Sequence, residues 1–541
     1  VPVREVPQGA RRLREGAPVM IDERPFIETA DAELHSLADQ AWAALTQAND
    51  PPHLFVRGGA LVYVGEGDDE QAAIHQHTLA TLSDLMSRVA GWRKTTLKGV
   101  TVVFPPERVA KILLEWDPAT YVGAPHLERI VTVPFFAAPA GKSVWDIDPD
   151  LDEPDHQVRL VQTPGYDADS RVWMEPEPEL EGLVVTGSDD DTEEAKHVVN
   201  KLLADFPFVP PASAAHSISL MLLPFVRELI DGDTPLYLVT APTPASGKGL
   251  LTDALLIPSQ GYIPRISASG DTDEWRKKIT SKLMQGPSVI MFDNLREGMT
   301  LDSPEIAGVL TCGGWWEDRI LGVSKMTKLR VRNVWVATGN NIEVSKENGR
   351  RVCRIVLDSG LERPEERHDF KITNLHAYVR EHRREIVWAA LTIIQSWLNG
   401  HTVEDDVYRP WLTEGGVRKA SFDSWSRVMG GLLNHIKVEG FLTDKIESQS
   451  DNELGTFLEA LQAETVAGPL TAKEVASRCV FGQMLNPVLP TDLLGLTPPQ
   501  IEKKMGYWLG AHKNRVADGR KLIRHDGRIA KWTVVSTDAP Q

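Results

Sequence analysis

Between residues 195 and 357 the chain alternates between amphipathic stretches of helical spacing and short, uninterrupted apolar runs. The runs at 236–240, 288–294 and 334–338 are rich in β-branched and aromatic residues and have the length of strands buried on both faces. Strands alternating with helices predict a parallel sheet covered by helices. From 375 to 463 the pattern is helical, and within 378–398 Val379, Ile386, Val387, Ala390, Leu391 and Ile394 fall near one face. Residues 1–186 mix short strands, helices and many prolines. The acidic run from Ser188 to Glu194 reads as a linker and as the negative first turn of a helix starting near Glu193.

After Gly468 the punctuation changes. Thr471 and Glu474 form a capping-box pattern for a helix running towards Cys479, and Thr497-Pro498-Pro499-Gln500 opens another, expected to reach about Asn514. Residues 521–525, an Asp526-Gly527 turn and residues 528–535 predict a β-hairpin. Helices followed by such a hairpin describe a winged helix. The expected units are a mixed α+β region at 1–186, an α/β core at 187–374, a helical lid at 375–463 and a winged helix at 464–541.

Length and composition agree with several units. A chain of 541 residues exceeds one core, and 42% apolar with 25% charged residues is ordinary for globular proteins. The apolar stretch at 218–226 is interrupted by Pro224 and is too short for a bilayer, so no membrane span is expected. Residues near the first position are charged and lack an apolar core, which does not read as a signal peptide. Cys312, Cys353 and Cys479 are far apart, which argues against a disulfide framework or thiolate zinc site and fits a cytoplasmic setting. The net charge is −18, yet residues 501–531 carry nine Lys or Arg against three acidic residues. That local contrast points towards nucleic acid.

The chemistry concentrates at strand ends. The 236–240 run leads into Ala241-Pro242-Thr243-Pro244-Ala245-Ser246-Gly247-Lys248-Gly249 and then a helical segment from Leu250 to Leu256. Strand, loop, Gly-Lys and helix is the phosphate-loop order, in which backbone N–H groups and the lysine hold phosphates. Pro244, Ala245, Ser246, Gly247, Lys248, Gly249 and Leu250 are the expected ATP contacts. Two positions depart from the usual pattern: Pro242 stands for a glycine, and Gly249 for the Ser or Thr that would bind Mg²⁺. The 288–294 run ends in Asp293, placed as a Mg²⁺ ligand, and Asn294, where a water-polarising glutamate is usual. Glu297, one turn on, is a substitute or a surface residue. The 334–338 run ends in Gly339-Asn340-Asn341, suited to positioning water near a γ-phosphate.

These residues, with Gly349-Arg350-Arg351 and Glu362 to Arg367, resemble the AAA+ replicative helicases of phages, prophages and integrated elements, relatives of superfamily 3 and minichromosome maintenance helicases. Leu54 to Gly59, Thr163 to Asp167 and Trp425 to Leu442 resemble other regions of the same proteins. The resemblance implies a P-loop ATPase core with a lid, a homo-hexameric ring with ATP between subunits, and translocation on single-stranded DNA, 3′ to 5′, during replication of a mobile element. It makes Arg350 or Arg351, with Arg351 slightly preferred, an arginine finger; the alternative is a surface or salt-bridging pair.

Residues 318–332 read as a hairpin with a basic tip, where the resemblance places a pore hairpin. Lys325 and Lys328 would meet DNA phosphates, or belong to an ordinary solvated tip. In the C-terminal unit Lys503, Lys504, Lys513, Arg515, Arg520, Arg524 and Arg528 are candidates for double-stranded DNA, although winged helices also dock proteins. Trp145-Asp146-Ile147-Asp148 resembles a primase metal pattern, but its proline-rich acidic surroundings read as a surface loop. Three functions remain open: a helicase, an origin binder or loader holding ATP as an assembly signal, and a DNA-binding scaffold with a vestigial phosphate loop.

Overall fold

The computed structural model describes residues 24–67, 71–139, 158–267, 272–297, 300–320, 325–399, 421–443, 449–480 and 483–536. It is a mixed α/β structure with several sheets. The Asp146–Asp148 pattern lies outside the described residues.

The central element is a five-stranded, all-parallel sheet. Its lateral order is Arg265–Ser267, Val289–Leu295, Val334–Asn340, Leu236–Ala241 and Val352–Val356. All six residues of Leu236–Ala241 are buried, as a strand covered on both faces requires. The covering helices share one hydrophobic core with the sheet: Asp189–Leu203, Pro211–Val226, Lys248–Gln260, Arg383–Asn399 and Asp423–His435 all contribute to it. Pro211–Val226 is buried around nearly its whole circumference, which explains why its sequence is apolar without a clear stripe.

Helix boundaries differ from expectation in places. The acidic run does not precede its helix but forms it: Ser188 caps Asp189–Leu203 by accepting from the Asp191 N–H at 3.2 Å, and Asp189, Asp190 and Asp191 fill the first turn. The expected helix at 378–398 is two, Leu375–Glu381 and Arg383–Asn399. At the break the Arg383 side chain turns into the core, donating to the Pro258 carbonyl at 3.0 Å and pairing with Glu177 and Glu179.

In residues 24–131, the helices Leu34–Gln47, Leu79–Val89 and Glu107–Glu115 pack around their own core, beside an antiparallel sheet of Phe55–Arg57, Ala60–Glu66 and Ala72–Gln76. This region is tied to the amino ends of the parallel strands. Arg57, fully buried, donates to the carbonyls of Leu127 at 3.1 Å and Leu283 at 2.6 Å, and burial lowers its guanidinium to about 10. Arg129 pairs with Glu228 at 2.8 Å, and both side chains are shut off from solvent. Gly58 takes φ +55°, and a Cβ there would stand 2.6 Å from Thr327 Oγ1, so only glycine allows this close approach.

The C-terminal region has a separate core. Gln449–Glu464 contributes Leu454, Phe457, Leu458 and Leu461 to it, against Val475, Met505, Trp508, Leu522 and Trp532. Ala472–Arg478 and Pro498–Ala511 follow, the first with a complete capping box and the second with Gln500 accepting from the Thr497 N–H at 2.9 Å. The second helix stops three residues short of the expected Asn514. Four short strands are ordered Leu470–Thr471, Lys531–Ser536, Arg520–His525 and Val516–Ala517. The hairpin is present, but His525 pairs with Lys531, so its connection is residues 526–530 and Arg528 lies in it. Gly527 lacks the positive φ that a two-residue Asp-Gly turn demands.

Candidate functional site

The loop after Leu236–Ala241 turns sharply because Gly247 adopts φ +87° at the N-cap of Lys248–Gln260. Ser246 Oγ donates to the Thr243 carbonyl at 2.5 Å, bracing the loop from inside. Lys248 Nζ donates to Asn340 Oδ1 at the end of the adjacent strand. Burial lowers the Lys248 ammonium below its ordinary value, and the Glu297 carboxylate opposes part of that shift. Asn341, whose side chain donates to the Pro242 carbonyl at 2.9 Å, also reaches Glu297 Oε1 at 3.2 Å. Glu297 therefore reaches this loop while staying exposed.

Asp293 stands at the tip of the next strand. Thr338 Oγ1 donates to its Oδ1 at 2.6 Å and accepts from the Asn294 N–H at 2.9 Å. Arg265 Nη1 donates to Asp293 Oδ2 at 3.0 Å, and Nη2 to Asp253 Oδ1 at 2.6 Å. His376 Nε2 lies 2.9 Å from the other Asp253 oxygen. Burial pushes the Asp293 carboxyl up, but Thr338 and Arg265 together hold it below its ordinary range. Asn294 is strained to φ +55° by a bulge in the strand and its side chain is exposed, joined to none of these groups through any described hydrogen bond.

Beside the loop opens a cleft of about 320 Å³, lined by Phe206, Ala245, Gly247, Leu250, Arg367, Phe370 and His376 among others. Arg367 lies over the Phe370 ring at 4.9 Å, and its Nη1 donates to the Asp205 carbonyl at 2.6 Å. An apolar pocket with a few polar edges next to a Gly-Lys loop has the character of a small-molecule site.

A divalent cation does not fit the residues at Asp293. Each carboxylate oxygen already accepts one hydrogen bond, the second from a guanidinium whose positive charge opposes a cation there, and Gly249 offers no hydroxyl. Among the described residues no three His, Cys, Asp or Glu side chains cluster to hold a metal. At the carboxylate expected to bind Mg²⁺ the structure places the Arg265 guanidinium.

Other expected residues separate into groups. Arg351 is only 8% exposed within its own chain, whereas Arg350 beside it is exposed. Of the pair, Arg350 is the one open to solvent. The hairpin is real but shifted: Trp315–Arg319 pairs with Met326–Arg330, setting Lys328 opposite Glu317 in mid-strand rather than at a tip. Lys328 Nζ meets Glu317 Oε1 at 2.9 Å, and with Arg330 it flanks the Trp315 ring. Lys325 is exposed, and residues 321–324 lie outside the described set. In the C-terminal region Lys503, Lys504, Lys513 and Arg528 are exposed and Arg515 half-buried. Arg524 pairs with Asp526 at 3.0 Å. Arg520 is half-buried, bonded to Gln462 at 3.1 Å and paired with Glu459.

No protein-family model and no curated protein matches the chain. Similar solved structures include the X-ray structure of JCV helicase, at 13% sequence identity and a TM-score of 0.19, aligned over 49% of this chain and 71% of that one. Likeness at that level leaves the site to be read from its own geometry. No helix of the described residues is long and apolar enough to cross a membrane.

Proposed function

We propose that the chain is a P-loop nucleotide-binding protein of AAA+ type that handles DNA, working as a ring-forming helicase in replication of a mobile element. The observation that carries this is the bond from Lys248, at the start of the helix after one strand, to Asn340 at the end of the adjacent strand, with Asp293 at the end of the strand beyond. Ligands of such sheets bind outside the carboxyl ends of the strands, where helix N-termini and loop N–H groups converge. ATP would lay its phosphates over Lys248 and its nucleoside in the Phe206–Phe370 cleft. Glu297, close to Lys248 and Asn341, is better placed than Asn294 to orient an attacking water. Arg350 is the residue we assign to an adjacent copy's phosphates.

DNA would meet Lys325 on the hairpin and Lys503, Lys504 and Lys513 on the C-terminal unit, which we read as a winged helix beginning at the 449–464 helix because that helix shares its core. A second reading, an initiator or loader that keeps ATP as an assembly signal, is favoured by one observation: the Arg265 guanidinium already stands at Asp293. ATPase and strand-displacement assays on wild type, Lys248→Ala and Arg350→Ala separate the two. DNA-stimulated turnover lost in both variants supports the helicase. ATP binding without DNA-stimulated turnover in wild type leaves the loader.

A further inference from the structure

A guanidinium stands where phosphate-loop proteins keep their metal. In that class of site a divalent cation sits between the hydroxyl following the loop lysine and the carboxylate of the neighbouring strand. Here the first position is Gly249, and a Cβ built on it would lie 3.7 Å from Arg265 Nη1. The second is Asp293, whose Oδ2 accepts from that same nitrogen at 3.0 Å. Arg265 is fixed from behind as well, because Nη2 donates to Asp253 at 2.6 Å and Asp253 is itself engaged by His376. The Asp253 carboxylate is nearly buried, while Arg265 stays 37% exposed on the side of the loop.

We propose that Arg265 replaces the divalent cation, so that this site binds nucleoside triphosphates without metal. The proposal rests on the nucleotide-binding half of the function above, which the helicase and loader readings share. A guanidinium has five N–H donors, and the two bonds described leave donors for phosphate oxygens. Two carboxylates hold the cation against the glycine, much as they would hold a metal. Gly249 is then a matched change: a hydroxyl at 249 would have no ion to serve, and a Cβ there would meet the guanidinium at ordinary contact distance.

The test is equilibrium binding of a fluorescent ATP analogue to the full chain, in excess EDTA and in excess Mg²⁺. Wild type is expected to bind with Kd values within about threefold of each other in the two buffers, and Arg265→Ala to weaken binding in EDTA by about tenfold or more. Arg265→Gln, which keeps the bulk and a donor, guards against misfolding and should bind more weakly than wild type in EDTA with an unchanged melting profile. Arg265→Ala combined with Gly249→Ser should bind more tightly in Mg²⁺ than in EDTA. Wild-type binding tighter by about tenfold or more with Mg²⁺, or undiminished binding by both Arg265 variants in EDTA, would overturn the proposal while leaving the nucleotide site intact. No binding by wild type in either buffer, or full binding by Lys248→Ala, removes the nucleotide reading itself and the proposal with it.

Discussion

The two ends of the parallel sheet carry the same kinds of residue to opposite effect. At the carboxyl ends Lys248, Asp293 and Arg265 are partly exposed and lie beside a cleft. At the amino ends Arg129, Arg227 and Glu228 are buried beneath the N-terminal region, where Arg227 donates to the carbonyls of Ile230 and Gly232. Ser288 Oγ, just before a strand, donates to the Ile130 carbonyl at 3.0 Å and closes the same seam. Charges at one end stay open to a ligand; at the other the chain seals them from solvent. Density of charge therefore does not mark a site, whereas charge left accessible beside a pocket does.

The largest effect that would break this contrast belongs to the sealed end. Glu228→Gln should cost about 3–5 kcal/mol in urea denaturation, since it leaves Arg129 and its neighbours without a buried counter-charge. A loss under about 1 kcal/mol would mean that water reaches the seam. The same residue sets an acid dependence. Burial pushes its carboxyl up, but Arg129, Arg332 and Arg227 outweigh that and hold it below the ordinary value. Its contribution is therefore present above the unfolded carboxylate range and disappears as pH falls through the lowered folded value. Wild type should lose more stability on acidification than Glu228→Gln, measured by melting at a series of pH values.

At the open end Lys248→Ala should weaken ATP binding by about 100-fold, near 2.7 kcal/mol, with little change in melting. Equal losses of stability and binding would make the open end structural as well. A third surface sharpens the contrast, because Lys503, Lys504 and Lys513 are exposed without converging on a pocket. Replacing all three by Ala should lower duplex affinity by about tenfold and flatten the log–log salt slope by about 0.9 for each phosphate no longer neutralised, read from titrations at several salt concentrations. The smallest change is Thr471→Ala, which removes a capping box outside both ends. It should cost the C-terminal region about 1 kcal/mol and leave nucleotide binding untouched, checked by melting and titration together.

Much of the central sheet is legible in the sequence because strands covered on both faces are continuous apolar runs, and Gly247-Lys248 announces a turn and a helix start. Pairing order is not legible: Lys248 reaches Asn340 only because the Leu236–Ala241 strand lies beside Val334–Asn340 and not beside Val289–Leu295. Arg265 gives no signal since its strand has three residues, too few for any period. The cleft gives none because Phe206 and Phe370 come from distant loops. Arg350 and Arg351 look alike in sequence, but they form the turn between the 346–349 helix and the Val352–Val356 strand, where one is exposed and the other buried. The helix starts at Thr471 and Thr497 are readable because that signal is local, whereas the connection at 526–530 depends on which strand register wins.

The bond from Thr327 Oγ1 to the Gly58 carbonyl, at 3.1 Å, has a mechanical corollary. A hairpin stitched to the amino-terminal sheet cannot slide past it without first breaking that contact, so the first region acts as ballast on the strand that carries Lys328.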